Sequence, residues 1–170
     1  MLDFAKVKDG KITQTYNSDK QYIDDNGIRF PQSIWRNKEY LKTQNLYYIQ
    51  NGSIPNKLFY DIGGSILSFD SVADTVTRSY TSSAKSNESI KKYFHDLNIS
   101  TFKGILESTN YHILRSQEDS DYKIPSSVST WRAKINTEFD NHQTAIEACD
   151  SISKFQALNI IFTDKPEDVI

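Results

Sequence analysis

One cysteine, one methionine, four prolines and six glycines are spread through 170 residues, and no long apolar run interrupts them. A lone thiol, Cys149, cannot form an intrachain bridge, and without a second cysteine or clustered histidines the structural zinc patterns are excluded. Nothing approaches the ~18 continuous apolar residues of a membrane span. The opening MLDFAKVKDGK carries charges at Asp3, Lys6, Lys8 and Asp9 where an export signal would be apolar. A soluble, unexported protein of a reducing compartment is expected, so the Asn-x-Ser/Thr sites at Asn51, Asn87 and Asn98 carry no weight.

An excess of either charge is missing too. Twenty basic residues stand against twenty-two acidic ones, a formal net charge of −2, and the signs are interspersed. That leaves no electrostatic footprint for nucleic acid or for an anionic membrane surface. What is plentiful is ring: ten tyrosines and nine phenylalanines in a chain only 37% hydrophobic. A modest core supplemented by amphipathic rings at surfaces points toward a protein that touches other proteins.

Hydrophobic periodicity divides the chain. FAKV and ITQTY flank Asp9-Gly10, a dipeptide suited to the positive φ angles of a tight turn, and predict an N-terminal hairpin. SIWRNKEYLKTQNL has the spacing of a short helix, and NLYYIQNG reads as a strand closing at Asn51-Gly52. KLFYDI, SILSF and TVTRSYT continue the β pattern, with loops expected at Gly63-Gly64 and from Asp70 to Asp74. The Ser/Thr-rich TSSAKSNES then marks a change to helical periodicity.

Beyond it, Ile90, Tyr93, Phe94, Leu97, Phe102, Ile105 and Leu106 predict one helix over about 87–108, capped by Ser86. Val128, Trp131, Ile135, Phe139, His142, Ile146 and Cys149 predict a second, from Pro125 to about Asp150. Between them, Thr109 or Asn110 can cap a short helix YHILRSQE, and after Ser151 one or two helical turns precede an extended NIIF. The expected fold is α+β: an antiparallel β region over residues 1–82, then an antiparallel helical hairpin with a short tail over residues 83–170.

Candidate chemistry is sparse. His95, His112 and His142 have no second ligand at helical zinc spacing, and Cys149 ends an apolar stripe instead of a basic pocket. Asp24-Asp25-Asn26-Gly27 and Glu118-Asp119-Ser120-Asp121 lack the twelve-residue calcium-loop pattern and read as solvated loops. Gly63-Gly64-Ser65 is no phosphate cradle, because Gly-x-Gly-x-x-Gly and the Walker lysine are both missing. No catalytic, cofactor-binding or metal-ligating residue is nominated, and no cofactor is expected. Trp35, Tyr47 and Tyr48 are candidate partner contacts, with burial in a core the competing reading.

Three stretches carry a resemblance: FAKVKDGKITQTY with RFP; DTVTRSYTSSAKS; and GILESTNYHILRSQEDSDYKIPSSVSTWRAKI leading to NIIFTDKPED. Together they resemble the tail-fibre-assembly and tail-assembly-chaperone-like proteins of tailed bacteriophages. The signature is a leucine pair, a Thr-Asp-Trp-like corner, an arginine, a loop closing on Ile-Pro, and an aromatic followed by arginine. Here it stands as Ile105-Leu106, Thr109-Asn110-Tyr111, Arg115, Ile124-Pro125 and Trp131-Arg132, and the ending as Ile160-Ile161-Phe162-Thr163 with Lys165-Pro166-Glu167. Asn110-Tyr111 in place of Asp-Trp, and Phe162-Thr163 in place of Trp-Pro, depart from that pattern.

The resemblance implies a non-enzymatic protein of tail or tail-fibre assembly, either a chaperone or a minor virion component. It would act in the host cytoplasm during infection or in the virion tail. Its partner would be a tail or tail-fibre protein, with self-association as a further option and neither nucleic acid nor membrane involved. The corner should be a structural clasp of Leu106, Tyr111, Arg115, Ile124, Pro125, Trp131 and Arg132. Tyr111 and Trp131 would pack over Leu106 and Ile124, while Arg115 and Arg132 pair with the Glu118–Asp121 loop. The alternative is a carbohydrate-binding module or small hydrolase whose site is scattered over the chain.

Overall fold

A computed structural model describes residues 3–166. The chain forms two compact units, Met1–Ala84 and Lys85–Ile170, and is of the α+β class. Glu167, the last residue of the Lys165-Pro166-Glu167 ending, lies outside the described residues.

The first unit is built on a five-stranded sheet. Strands β1 (Asp3–Lys8) and β2 (Lys11–Asn17) form the hairpin, turning through Asp9 at φ 51° and Gly10 at φ 73°. Two positive φ values in succession match the right-handed twist of the flanking strands. The segment between Asn17 and Pro31 holds a small two-stranded ribbon, β3 (Tyr22–Ile23) with β4 (Arg29–Phe30). The expected single helix is instead two pieces, a 3-10 turn at Gln32–Arg36 and α1 at Lys38–Thr43. Asn37 breaks the run, and its side chain caps α1 by accepting from the Tyr40 amide at 3.0 Å.

Strands β5 (Leu46–Asn51), β6 (Tyr60–Asp70) and β7 (Thr75–Ala84) complete the sheet in the order β2-β1-β5-β7-β6. Its neighbours are antiparallel except β5 and β7, which run parallel, so the expected antiparallel β region is antiparallel-rich with one parallel junction. The expected loop at Gly63-Gly64 is corrected. The pair does not separate two strands but lies within β6, where the register against β7 shifts between Ile62 and Ser65. A bulge absorbs the extra residues without ending the ladder.

Strand alternation gives this unit two apolar faces. Phe4 and Leu46 face one side with Tyr22, Trp35 and Leu41; Ala5, Val7, Ile49 and Val76 face the other.

In the second unit, α2 (Asn87–Glu107) and α4 (Ser126–Glu147) pack antiparallel, with α3 (Asn110–Glu118) at the corner and α5 (Ile152–Ala157) beyond. Ser86 caps α2, its hydroxyl accepting from the Ser89 amide at 3.2 Å. One core gathers Val128, Trp131, Ile135 and Phe162, with Phe102, Ile105, Leu106, Ile124, Phe139 and Ile160 packed around them. Farther along the pair, Phe94 stacks on Phe155 with centroids 5.7 Å apart, and Ile90, Ile146 and Cys149 are buried. Residues 158–166 form no helix or strand.

Candidate functional site

A cleft of about 460 Å³ opens on the first unit, lined by residues of β1, the 3-10 turn, α1, β5 and the start of β7. Its floor is aromatic and aliphatic. Trp35 stacks on Phe4 at 4.7 Å and 22°, and its indole N–H donates to the Lys20 carbonyl at 2.7 Å, which fixes the ring's orientation. Leu41 and Leu46 fill in beside them, and Tyr48 meets Phe4 edge-on at 6.0 Å. A cleft of this size, apolar below and with polar groups at its rim, has the composition of a binding site.

The rim chemistry centres on Asp74. Lys42 Nζ lies 2.8 Å from its Oδ2. The Lys42 ammonium first, and then the Tyr47 hydroxyl, hold the Asp74 carboxyl below its ordinary range. The same bond to Asp74 raises Lys42, and burial together with donation to Asp74 raises the Tyr47 phenol. Asp74 has a positive φ of 55°, held there by a tight turn in which Asp70 accepts from the amides of Val72 and Ala73. Arg36 and Lys38 are exposed on the rim and have no ion-pair partner among the described residues.

The three candidate partner contacts meet here, but in different roles. Tyr48 is 45% exposed and Tyr47 half-buried, whereas Trp35 is only 5% exposed. Trp35 is therefore corrected from a surface contact to the cleft's floor. Phe4, Arg36, Lys38, Lys42 and Asp74 went unnominated in the sequence. The β1 and β5 alternation could have placed Phe4 against Tyr48; nothing local could have joined Lys42 to Asp74.

The corner in the second unit is a clasp of different composition from the expected one. Leu106, Ile124 and Trp131 pack in one core, and Pro125 is the N-cap residue of α4, its carbonyl accepting from the Ser129 amide at 3.1 Å. Tyr111 does not join them: it is 61% exposed and lies edge-on to His112. Arg115 donates to the Tyr111 hydroxyl at 3.0 Å and sits over the Tyr122 ring at 4.4 Å. Arg132 turns inward to Leu106, Thr109 and Asn110. Both arginines thus find partners other than the Glu118–Asp121 carboxylates.

Elsewhere the polar groups serve the fold. His142 bonds to buried Asn98 at 3.3 Å and meets Phe162 edge-on, and His95 joins Gln143 and Glu147 across the helix pair. Asp24 and Asp119 close their own loops, accepting from backbone amides two residues on. Among the described residues no group of three or more His, Cys, Asp or Glu side chains could hold a metal ion, and no helix is long and apolar enough to cross a membrane.

No protein-family model matches the sequence, no curated protein matches it, and no solved structure matches it.

Proposed function

We propose that this chain is a non-enzymatic protein of tail or tail-fibre assembly in a tailed bacteriophage, a chaperone or minor virion component that works by gripping a partner protein. The observation that supports this reading is the aromatic-floored cleft whose one lining carboxylate among the described residues, Asp74, is already engaged by Lys42 and Tyr47. Glycoside chemistry calls for two carboxyl groups converging on one bond. This cleft offers one, in an ion pair. An exposed ring above a buried apolar floor is instead the composition of a recognition hot spot.

The test is co-expression with a tail-fibre protein of the same phage, followed by co-purification and by mass spectrometry of finished virions. Co-purification that falls at least tenfold in a Tyr48→Ala variant of unchanged melting temperature supports recognition through the cleft. Presence in virions at a defined copy number marks a structural component, and absence a chaperone. Failure to co-purify, together with binding of the chain to a glycan array, would overturn the reading in favour of carbohydrate recognition.

A further inference from the structure

The charged lining groups of the cleft without an ion-pair partner among the described residues are of one sign. Its charged lining residues are Arg36, Lys38, Lys42 and Asp74, three cations to one carboxylate. Asp74 is taken by Lys42 at 2.8 Å and by the Tyr47 hydroxyl, so it offers little to an incoming group. Arg36 and Lys38 have no ion-pair partner among the described residues. Glu39, the nearby acid on α1, is not among the lining residues. Below this cationic rim lie Phe4, Trp35, Leu41 and Leu46, and an apolar floor rewards the burial of an apolar side chain.

We propose that the cleft takes a peptide segment of a partner protein in which an aromatic or large aliphatic side chain is flanked by carboxylates. The inference rests on the recognition reading above and adds the chemistry of what is recognised. The apolar side chain enters against Trp35 and Tyr48, and its acidic neighbours meet Arg36 and Lys38 at the mouth. Charge complementarity argues for this occupant over a basic or neutral one: a basic flank would face two unpaired cations at close range. The cationic rim residues and Tyr48 are exposed, so the occupant's backbone stays at the surface, as it does for an anchor residue carried on a chain. Because the cations are solvated, they contribute chiefly to encounter and selectivity, and their effect weakens with salt.

The experiment is an NMR titration of the full chain with three blocked peptides: acetyl-Gly-Glu-Phe-Asp-Gly-amide, its Lys-Phe-Lys counterpart and its Glu-Ala-Asp counterpart. The acidic aromatic peptide is expected to shift the Trp35 indole N–H and the Tyr48 amide, with an affinity at least tenfold above either other peptide and falling as salt rises. The double variant Arg36→Glu, Lys38→Glu, with both changes at exposed positions, should reverse the preference between acidic and basic flanks. Equal or tighter binding of the basic peptide overturns the proposal, as does indifference to the double variant or the absence of any shift at the cleft. In those cases Tyr48-dependent capture of the tail-fibre protein would leave the recognition reading standing, and capture unaffected by Tyr48→Ala would remove that as well.

Discussion

The Arg132 guanidinium donates to the Thr109 hydroxyl at 2.7 Å and to the Leu106 carbonyl at 3.1 Å, so one side chain fastens the end of α2 to the first half of α4. The Leu106 carbonyl is among those that a helix end leaves without an intrahelical partner, and Thr109, fully buried, also donates to it at 3.1 Å. Removing the guanidinium takes the donor from the buried Thr109 oxygen and one of several donors from the Leu106 carbonyl. Arg132→Ala should therefore cost about 1.5–3 kcal/mol in chemical denaturation. Arg132→Lys should recover less than half, because all three bonds leave the terminal Nη1, a position that the shorter lysine side chain does not reproduce. A double-mutant cycle with Thr109→Val should show coupling of at least ~0.5 kcal/mol; strict additivity would mean that the two do not act together.

Trp131 anchors the same corner from the apolar side. It is 4% exposed, among Val128, Ile135 and Phe162, yet its indole N–H has no hydrogen-bond partner among the described residues. Trp131→Ala should cost about 3–5 kcal/mol through lost burial and the cavity left behind. Trp131→Phe should cost less than half as much, since it also removes an unpartnered donor. Equal losses in the two melting curves would show that the indole nitrogen matters and the ring volume does not.

Much of the architecture was legible because it is written locally. The Asp9-Gly10 turn, the Ser86 cap and the stripes through Phe94 and Ile135 are short-range patterns, and each lies where spacing put it. What escaped depends on distant partners. Gly63-Gly64 looks like a turn until β7 continues past it, and Tyr111 looks like a core ring until α3 turns it outward. The cleft was half-legible: Tyr47 and Tyr48 stood out as adjacent rings. Its charged rim joins residues of α1 to residues before β7, and no spacing rule connects those.

Tyr22 is fully buried among Tyr16, Phe30 and Trp35, and its hydroxyl has no hydrogen-bond partner among the described residues. Burial, then the neighbouring Tyr16, Asp25, Asp24 and Tyr40, push its pKa up to about 12. The unfolded phenol ionises near 10. The folded state thus holds its proton longer, and the stability this confers is full below pH 10 and lost as pH rises toward 12. Tyr22→Phe should be neutral or stabilising by up to ~1 kcal/mol at neutral pH, and should flatten the alkaline decline. A loss above that size would reveal a partner for the hydroxyl.

Gly52 closes on the β7 backbone. Its amide donates to the Arg78 carbonyl at 2.8 Å, and a Cβ added at this position would stand 2.9 Å from that same oxygen. Backbone cannot yield as a flexible side chain would, so Gly52→Ala should cost about 1–3 kcal/mol. Gly64 in the β6 bulge offers open space to a Cβ, and Gly64→Ala should stay within ~0.5 kcal/mol of the parent. Urea midpoints measured side by side decide it, and equal midpoints for the two variants would count against the close approach at Gly52.

Glu138 on α4 holds the C-terminal segment by accepting from the Thr163 amide at 2.8 Å and from its hydroxyl at 2.5 Å. Burial alone would raise this carboxyl, but the two Thr163 donors, with the Lys134 and His142 charges, outweigh it and leave the pKa below its ordinary 4.5. A depressed folded pKa means that the contribution to stability is complete above about 4.5 and is lost as pH falls through the lower folded value. The Thr163 amide resonance should therefore titrate with a midpoint below 4.5, and Glu138→Gln should abolish that titration. Thr163→Val should move the carboxyl's midpoint upward, because it removes the hydroxyl while leaving burial in place. A midpoint at or above 4.5 in the parent protein would mean that burial prevails and that Thr163 does not hold the carboxylate.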